Sequence, residues 1–515
     1  MDVYNSFTFM SLASSTKRIA KNTLLLYIRM LVMMAITLYT SRIVLHLLGV
    51  EDFGIYNLVG GIVVMFSFLN SAMAVSTQRF LNYEIGKGGE CNVQKIFSTS
   101  LIIHFFLILL IILLAETIGL WFLNVKLNIP AERLTAANWV YQFSVFTFCI
   151  NILRVPYQAA IIAYERMAFY AYLSIVEVIL QLSIVYILVV SEFDQLIIYA
   201  GLLFVVAWII YFISYFFCRF KFTTIRFQFT WEKSSLKKIT SFSGWSLLGS
   251  LANVGAQQGI NMLLNIFYGV AINASVGIAN QVSSAIYRFI SNFSVAYQPQ
   301  IVQLYAAEKR YELINLVFKS SKFSYFLFLI LSVPVFAYCE PILQFWLGTV
   351  PEYSAGFCRL IILYLLFDAA SAPLWISVQA TGKIRNYQIF MSILILLNLP
   401  FSYLCLRAGL SPYSVWLIRF LLNIVAYLFR FVYLKRVMDF SPVDYLKKVV
   451  FVIFIVTFLV IPIPWCLVYI TDKPWGIILG IIVSLFSTVS IVYFIGLTKS
   501  ETDFVKVLVR KLLKR

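Results

Sequence analysis

Charge is what this sequence lacks. Asp, Glu, Lys and Arg together make up 12% of its 515 residues, against 62% hydrophobic residues. A soluble domain carries roughly 25% charged residues, so this chain cannot cover itself with a polar surface. Histidine is scarcer still: His46 and His104 are the only two. The seven cysteines (Cys91, Cys149, Cys218, Cys339, Cys358, Cys405, Cys466) are scattered without CxxC spacing. No zinc or haem ligand cluster can be drawn from these residues, and the thiols read as small buried apolar groups. A P-loop pattern is absent, which excludes ATP hydrolysis in this chain. No sizeable loop carries the carboxylates or histidines that a membrane enzyme of polysaccharide assembly needs. Nor does a cleavable signal peptide open the chain. Residues 1–21 are mostly polar, and the apolar segment after Lys21 is longer than an h-region.

Apolar runs fill the rest. Leu101–Leu114 holds one polar residue, His104, and Gly476–Ile495 holds no charge. About 20 such residues span a hydrocarbon core of roughly 30 Å. Continuous runs favour helices over the alternating strands of a barrel. Runs set against breakers predict an all-α integral membrane protein of about fourteen transmembrane helices. They fall near 22–48, 56–78, 98–123, 138–160, 168–190 and 196–218, then 242–268, 272–296, 320–347, 356–378, 387–407 and 411–434, and lastly 448–470 and 475–496. The expected organisation is a cytoplasmic segment 1–21, an N-lobe 22–218 (helices 1–6) and a cytoplasmic linker 219–241. A C-lobe 242–434 (helices 7–12), helices 13–14 within 435–496 and a tail 497–515 follow.

The net charge of +18 would suit nucleic acid, but Lys and Arg sit in short clusters between apolar runs, so no nucleic-acid partner is expected. Their placement sets orientation instead. Clusters such as Lys17, Arg18, Lys21, then Arg219, Lys221, Arg226, Lys233, Lys237, Lys238, and Lys435, Arg436, Lys447, Lys448 all fall on one side. The opposite loops hold only Lys126, Arg133, Arg407 and Lys473. This predicts a multi-pass membrane protein with both termini cytoplasmic. In the tail, Phe504, Val505, Leu508 and Leu512 oppose Lys506, Arg510, Lys511 and Lys514, the pattern of a basic amphipathic helix on an anionic leaflet.

The chain also repeats itself. Leu48-Gly49-Val50 with Gly54-Ile55-Tyr56-Asn57 is similar to Tyr268-Gly269-Val270 with Gly277-Ile278-Ala279-Asn280. Gln78-Arg79-Phe80-Leu81 falls where Gln300-Ile301-Val302-Gln303 does, and Pro156 where Pro373 does, all at offsets of about 220 residues. Two parallel six-helix units related by an axis along the membrane normal follow, with a central cavity expected between them.

The informative residues are polar ones on single helix faces. Helix 7 carries Ser246, Ser250, Asn253, Gln257 and Asn261, and helix 8 carries Gly277, Gln281, Ser284, Arg288 and Ser291. Helix 2 has a weaker stripe of Asn57, Gly60, Ser67, Asn70 and Ser71. An unpaired amide in hydrocarbon costs several kcal/mol, so such faces line either a wet cavity or helix contacts made through small polar side chains. Intramembrane Arg is rare and functional by default; the candidates are Arg29, Arg42, Arg154, Arg288 and Arg419. Deep acids are fewer, chiefly Glu177 and Asp368, either of which could serve Na+ or H+ coupling or simply pair with a cation. Mainly positive depth suits an anionic cargo, because guanidinium binds phosphate oxygens through paired donors.

The segments Thr40-Ser41-Arg42-Ile43-Val44, Leu48-Gly49-Val50-Glu51-Asp52-Phe53-Gly54-Ile55-Tyr56-Asn57, Thr77-Gln78-Arg79-Phe80-Leu81 and Ala296-Tyr297-Gln298-Pro299-Gln300-Ile301 resemble bacterial polysaccharide flippases. These belong to the multidrug/oligosaccharidyl-lipid/polysaccharide exporter superfamily. The resemblance implies a V-shaped cavity formed largely by helices 1, 2, 7 and 8. It also implies a cargo of polyprenyl-pyrophosphate-linked oligosaccharide, such as an O-antigen or lipopolysaccharide repeat unit, flipped to the periplasmic leaflet by alternating access. Arg29 and Arg288 match a cationic cavity that holds the pyrophosphate. Helices 13–14 would hold the lipid tail, as in lipid II flippases. Helix 7 lacks an acid, which puts a sodium site of the lipid II flippase kind in doubt. The expected partners are the lipid-linked glycan, membrane lipids and other polysaccharide-assembly proteins; the chain reads as a monomer without a cofactor. A multidrug or cation antiporter of the same superfamily is the alternative.

Overall fold

A computed structural model describes residues 22–503 apart from 38, 41–42, 45–46, 50–51, 53–54, 57–58, 61–66, 126–128, 230–231, 269, 348–349, 439, 465–473 and 500. At 67–68, 270–271, 273–274 and 474 it describes the backbone alone. The described residues are almost wholly helical, with no strand among them.

Ten helices are long and apolar enough to cross a bilayer. They are α3 (Glu90–Val125), α4 (Ala131–Ala163), α5 (Met167–Val190), α6 (Gln195–Lys221), α9 (Arg310–Ala337), α10 (Ser354–Thr381), α11 (Arg385–Arg407), α12 (Tyr413–Met438), α13 (Pro442–Pro464) and α14 (Trp475–Gly496). Among the described residues, four further helices complete the sequence-based order: α1 (Asn22–Thr37), α2 (Ser67–Lys87), α7 (Lys233–Tyr268) and α8 (Val270–Ala306). They correspond to helices 1, 2, 7 and 8 of the sequence-based order. Length is not what sets α7 and α8 apart: their 36 and 37 residues extend about 54–56 Å at 1.5 Å per residue. Their polarity is.

The chain divides into two compact units, one Asn22–Leu247 and the other running from Leu248 towards the C-terminus, the division falling within α7. Each unit is built round a hub. In the first, α4 packs against α2, α3 and α6; in the second, α10 packs against α8, α9 and α12. Both hubs carry an internal proline, Pro156 in α4 and Pro373 in α10. The sequence repeat is thus a repeat of packing order.

Local chemistry explains several joints. A π turn at Ala115–Gly119 widens α3, and the buried Tyr141 hydroxyl donates to the Ala115 carbonyl at 2.8 Å. Gly119 lies directly under that hydroxyl, where a Cβ would collide with it. Gly119→Ala should therefore cost about 1–3 kcal/mol by overpacking, read as a lower unfolding midpoint in detergent. An unchanged midpoint would contradict this packing. At the end of α4 that loop charge assigns to the outside, Arg133 joins two acids. Its Nε donates to Asp52 at 2.8 Å and its Nη1 to Asp194 at 2.6 Å, while Nη2 also pairs with Asp52. Asp194 in turn caps α6, accepting from the amides of Leu196 and Ile197. Asp52, part of the Leu48–Asn57 motif, thus fastens the segment after α1 to α4.

Helix ends differ from the sequence expectation. The stretch expected as a linker from 219 is shorter: α6 runs to Lys221, and α7 begins at Lys233 rather than near 242. The intervening chain lies along α3, where the Gln228 amide donates to Ser98 Oγ at 3.0 Å. Likewise α9 begins at Arg310, so Lys319 and Lys322 lie within the helix. Charged turns extend these helices beyond their apolar runs, and hydropathy does not register such turns.

Helices α13 and α14 pack on α9; the Tyr325 hydroxyl meets Thr457 Oγ1 at 2.8 Å. Just past α14, Glu501 forms a 2.8 Å ion pair with Lys322, the side chains only 5% and 6% exposed. The expected amphipathic tail beyond 503 and the segment 1–21 lie outside the described residues.

Candidate functional site

The polar stripe of α8 is exposed: Gly277, Gln281, Ser284 and Arg288 all present solvent-accessible surface, and Ser291 is half-buried. On α7, Asn253 and Gln257 are exposed, Ser250 and Asn261 half-buried and Ser246 buried. Two of these amides bond within their own helix, Asn253 Nδ2 to the Gly249 carbonyl (3.0 Å) and Asn261 Nδ2 to Gln258 (3.4 Å). An exposed guanidinium and amides are costly against hydrocarbon.

In the first unit, α4 presents Arg154 and Gln158 one turn apart, and α5 presents Tyr170 and Glu177 two turns apart. Arg154 Nη1 pairs with Glu177 Oε2 at 3.1 Å, and Gln158 Nε2 donates to the Tyr170 hydroxyl at 3.2 Å. Arg29 of α1 lies over the Tyr170 ring, 4.5 Å from its centroid. Its Nε and Nη1 are buried without a hydrogen-bond partner among the described residues. Two guanidinium groups and one carboxylate thus contribute to this cluster: Arg154 pairs with Glu177, Arg29 stacks on Tyr170, and the unsatisfied donors belong to Arg29. Asn70 Oδ1 on α2 is also buried and unpartnered.

The second unit repeats this imbalance. Asp368 on α10 lies within electrostatic reach of Arg430 and Arg419 of α12 and of Tyr287 of α8, yet forms no direct ion pair among the described residues. Arg430, 8% exposed, donates from Nε to the Tyr387 hydroxyl at 2.7 Å and from Nη1 to Ser371 Oγ. Arg419 stacks over Tyr364 and Trp416, at 4.8 and 5.2 Å from their centroids. The Tyr445 hydroxyl meets that of Tyr427 at 3.1 Å and donates to the Ala370 carbonyl at 3.2 Å. Again two guanidinium groups flank one acid. A carboxylate so flanked repels an additional metal cation, which weighs against a simple sodium site at Asp368.

Of the sequence candidates, Arg29, Arg154 and Glu177 gather in the first unit, and Arg419 and Asp368 in the second. Arg288 stands on the exposed stripe of α8. Arg42 and Asn57 lie outside the described residues. Sequence reasoning missed Arg430, although the run Arg419, Asn423, Tyr427, Arg430 steps along one face of α12 and signals it. Among the described residues no group of three or more His, Cys, Asp or Glu could hold a metal ion.

Residues 246–404 match the MatE family, a stretch that takes in α8–α10 and most of α7 and α11. No curated protein matches the chain. Solved structures do. A crystal structure of a MATE point mutant superposes with a TM-score of 0.72 at 14% identity, covering 83% of this chain and 97% of its own. An outward-facing multidrug resistance MATE family transporter of the MOP superfamily gives a TM-score of 0.69 at 15% identity, covering 82% and 96%. A MOP superfamily transporter from Pyrococcus furiosus, described as having a binding pocket of reverse polarity that suggests a different function, gives 0.71 at 15% identity, covering 82% and 96%. The chain thus has the fold of the MATE transporters and carries the MatE match over residues 246–404.

Proposed function

We propose that this protein is a secondary transporter of an inner membrane that moves an anionic, lipid-linked saccharide headgroup by exposing it alternately to the two sides. The observation that carries the reading is the half-buried Arg29, whose guanidinium Nε and Nη1 are buried with no hydrogen-bond partner among the described residues. An unpaired buried donor costs about 1–3 kcal/mol, a cost offset when a phosphate or pyrophosphate oxygen accepts from it. Both deep acids are already opposed by Arg, Glu177 by Arg154 and Asp368 by Arg430 and Arg419. A path for cations needs carboxylates whose charge is not offset, and guanidinium charge offsets both of these.

A second reading, efflux of cationic drugs, is favoured by the comparisons: a multidrug resistance transporter is among the similar structures. That fold also accommodates a pocket described as of reverse polarity, so the sign of the cargo is a question of side chains. One experiment separates the two. The protein is expressed in a strain lacking its polysaccharide flippase and in a drug-hypersensitive strain. Restored surface polysaccharide without drug resistance is the expected outcome. Resistance that depends on Asp368 or Glu177, with no polysaccharide restored, would replace the saccharide reading with the antiporter.

A further inference from the structure

Cys339 and Cys358 occupy one corner of the second unit. Cys339 opens the short helix Cys339–Leu347 that follows α9, and Cys358 lies in the second turn of α10. Both are 1% exposed. Cys339 Sγ donates to the Ala355 carbonyl at 3.7 Å, one turn before Cys358 on the same helix, and the two thiols interact with each other. The corner is already fastened on either side: Arg359 Nε donates to the Phe336 carbonyl at 3.2 Å, and its Nη1 pairs with Glu340 at 3.3 Å. All six described cysteines are free thiols in the structure: besides this pair, Cys91 is exposed, Cys405 half-buried, and Cys149 and Cys218 buried, Cys218 donating to the Tyr157 carbonyl at 3.7 Å.

Compartment decides what such a pair becomes. Disulfides persist in oxidising compartments and are rare in the cytosol. Loop charge puts the turn between α9 and α10 on the side away from the Lys and Arg clusters, the exterior by the positive-inside rule. We infer that Cys339 and Cys358 form a disulfide that staples the end of α9 to the start of α10. The inference rests on this orientation and not on the nature of the cargo.

The chemistry balances by exchange with the disulfide of an exterior thiol–disulfide oxidoreductase. A thiolate of the pair attacks the carrier's S–S bond, giving a mixed disulfide, and the second thiolate resolves it. One S–S bond forms in this chain and one breaks in the carrier. The two cysteines lose two electrons, and their two protons end on the carrier's thiols. Burial of both sulfurs places the step during folding, before α9 and α10 close over them.

The test is a count of free thiols. Cells are quenched with acid, and the full chain is denatured in SDS and labelled with a maleimide–polyethylene glycol, with or without prior reduction. Of the seven cysteines, five should react before reduction and all seven after it. Cys339→Ser should give six adducts under both conditions, with its expression serving as the folding control. Peptide mapping of the unreduced wild-type chain should find the residues joined. Seven adducts without reduction, or a mapped bridge between any other two cysteines, overturns the inference.

Discussion

Replacing Arg29 by Ala is expected to abolish transport while leaving the protein folded at near-normal levels. The two effects part because of what Arg29 lacks. Its Nε and Nη1 are buried with no acceptor among the described residues, so truncation removes an unsatisfied cation rather than a structural bond. What the fold loses is the stacking on Tyr170, worth about 0.5–2 kcal/mol. The relieved desolvation of the guanidinium offsets that loss. The cargo loses much more. Each hydrogen bond to a charged group contributes about 1.5–3 kcal/mol, so two such bonds amount to roughly 3–6 kcal/mol. At 1.4 kcal/mol per decade this is about a hundredfold to ten-thousandfold in affinity. Arg29→Lys should be intermediate, since an ammonium keeps the charge but not the paired donors. Flipping of a fluorescent polyprenyl-pyrophosphate saccharide in proteoliposomes reads the effect. Unchanged flipping by Arg29→Ala, at matched protein, would remove Arg29 from the cargo site.

The largest expected effect on stability lies at Lys322 and Glu501. With side chains 6% and 5% exposed and 2.8 Å apart, each neutralises the other in a place water barely reaches. Breaking a buried pair on one side leaves a lone charge and costs about 3–5 kcal/mol, whereas removing both charges can be nearly neutral. Lys322→Met and Glu501→Leu should therefore each lower the unfolding midpoint strongly. The double variant Lys322→Met/Glu501→Leu should recover most of the loss, apart from the 2.8 Å bond that Glu501 accepts from the Thr498 amide. The coupling energy of a double-mutant cycle is the quantity to measure. Additive losses would mean that the two charges do not sense one another. The pair secures the chain just beyond α14 to α9, and with it the point from which the basic segment 504–515 departs.

Periodicity is why so much of the fold is legible in the sequence. Continuous apolar runs mark the ten spans, and the stripes of α7 and α8 stand out because a 3.6-residue turn gathers Ser246, Asn253 and Gln257, or Gln281, Ser284 and Arg288, on one face. Low hydropathy in those same helices carries the same signal. Helix ends are less legible. The charged first turns of α7 and α9 look like loop to any measure of hydropathy, yet nothing in Lys233–Lys238 or Arg310–Lys322 breaks a helix. Partnerships are legible only in part. The sequence allows Glu177 a cation as partner, but Arg154 in that role, 23 residues away, depends on how α4 and α5 turn against each other. Lys322 reads as one more inside charge until Glu501, 179 residues later, is placed beside it. Arg430 could have been found from its spacing to Arg419; its bonds to Tyr387 and Ser371 could not. The seven thiols read as inert because pairing is a property of the folded corner at Cys339 and Cys358, not of their 19-residue spacing.

All of this turns on an excess of guanidinium over carboxylate inside each unit, and that excess should choose the sign of what binds. The direct measurement is ligand-dependent thermal stabilisation of the purified protein. It compares a polyprenyl-pyrophosphate saccharide with a lipophilic cation, in the wild type and in Arg29→Ala/Arg288→Ala. The anionic lipid should raise the wild-type midpoint in a saturable way, the cation should not, and the double variant should lose the shift. Saturable stabilisation by the cation, with no response to the pyrophosphate lipid, would contradict the account.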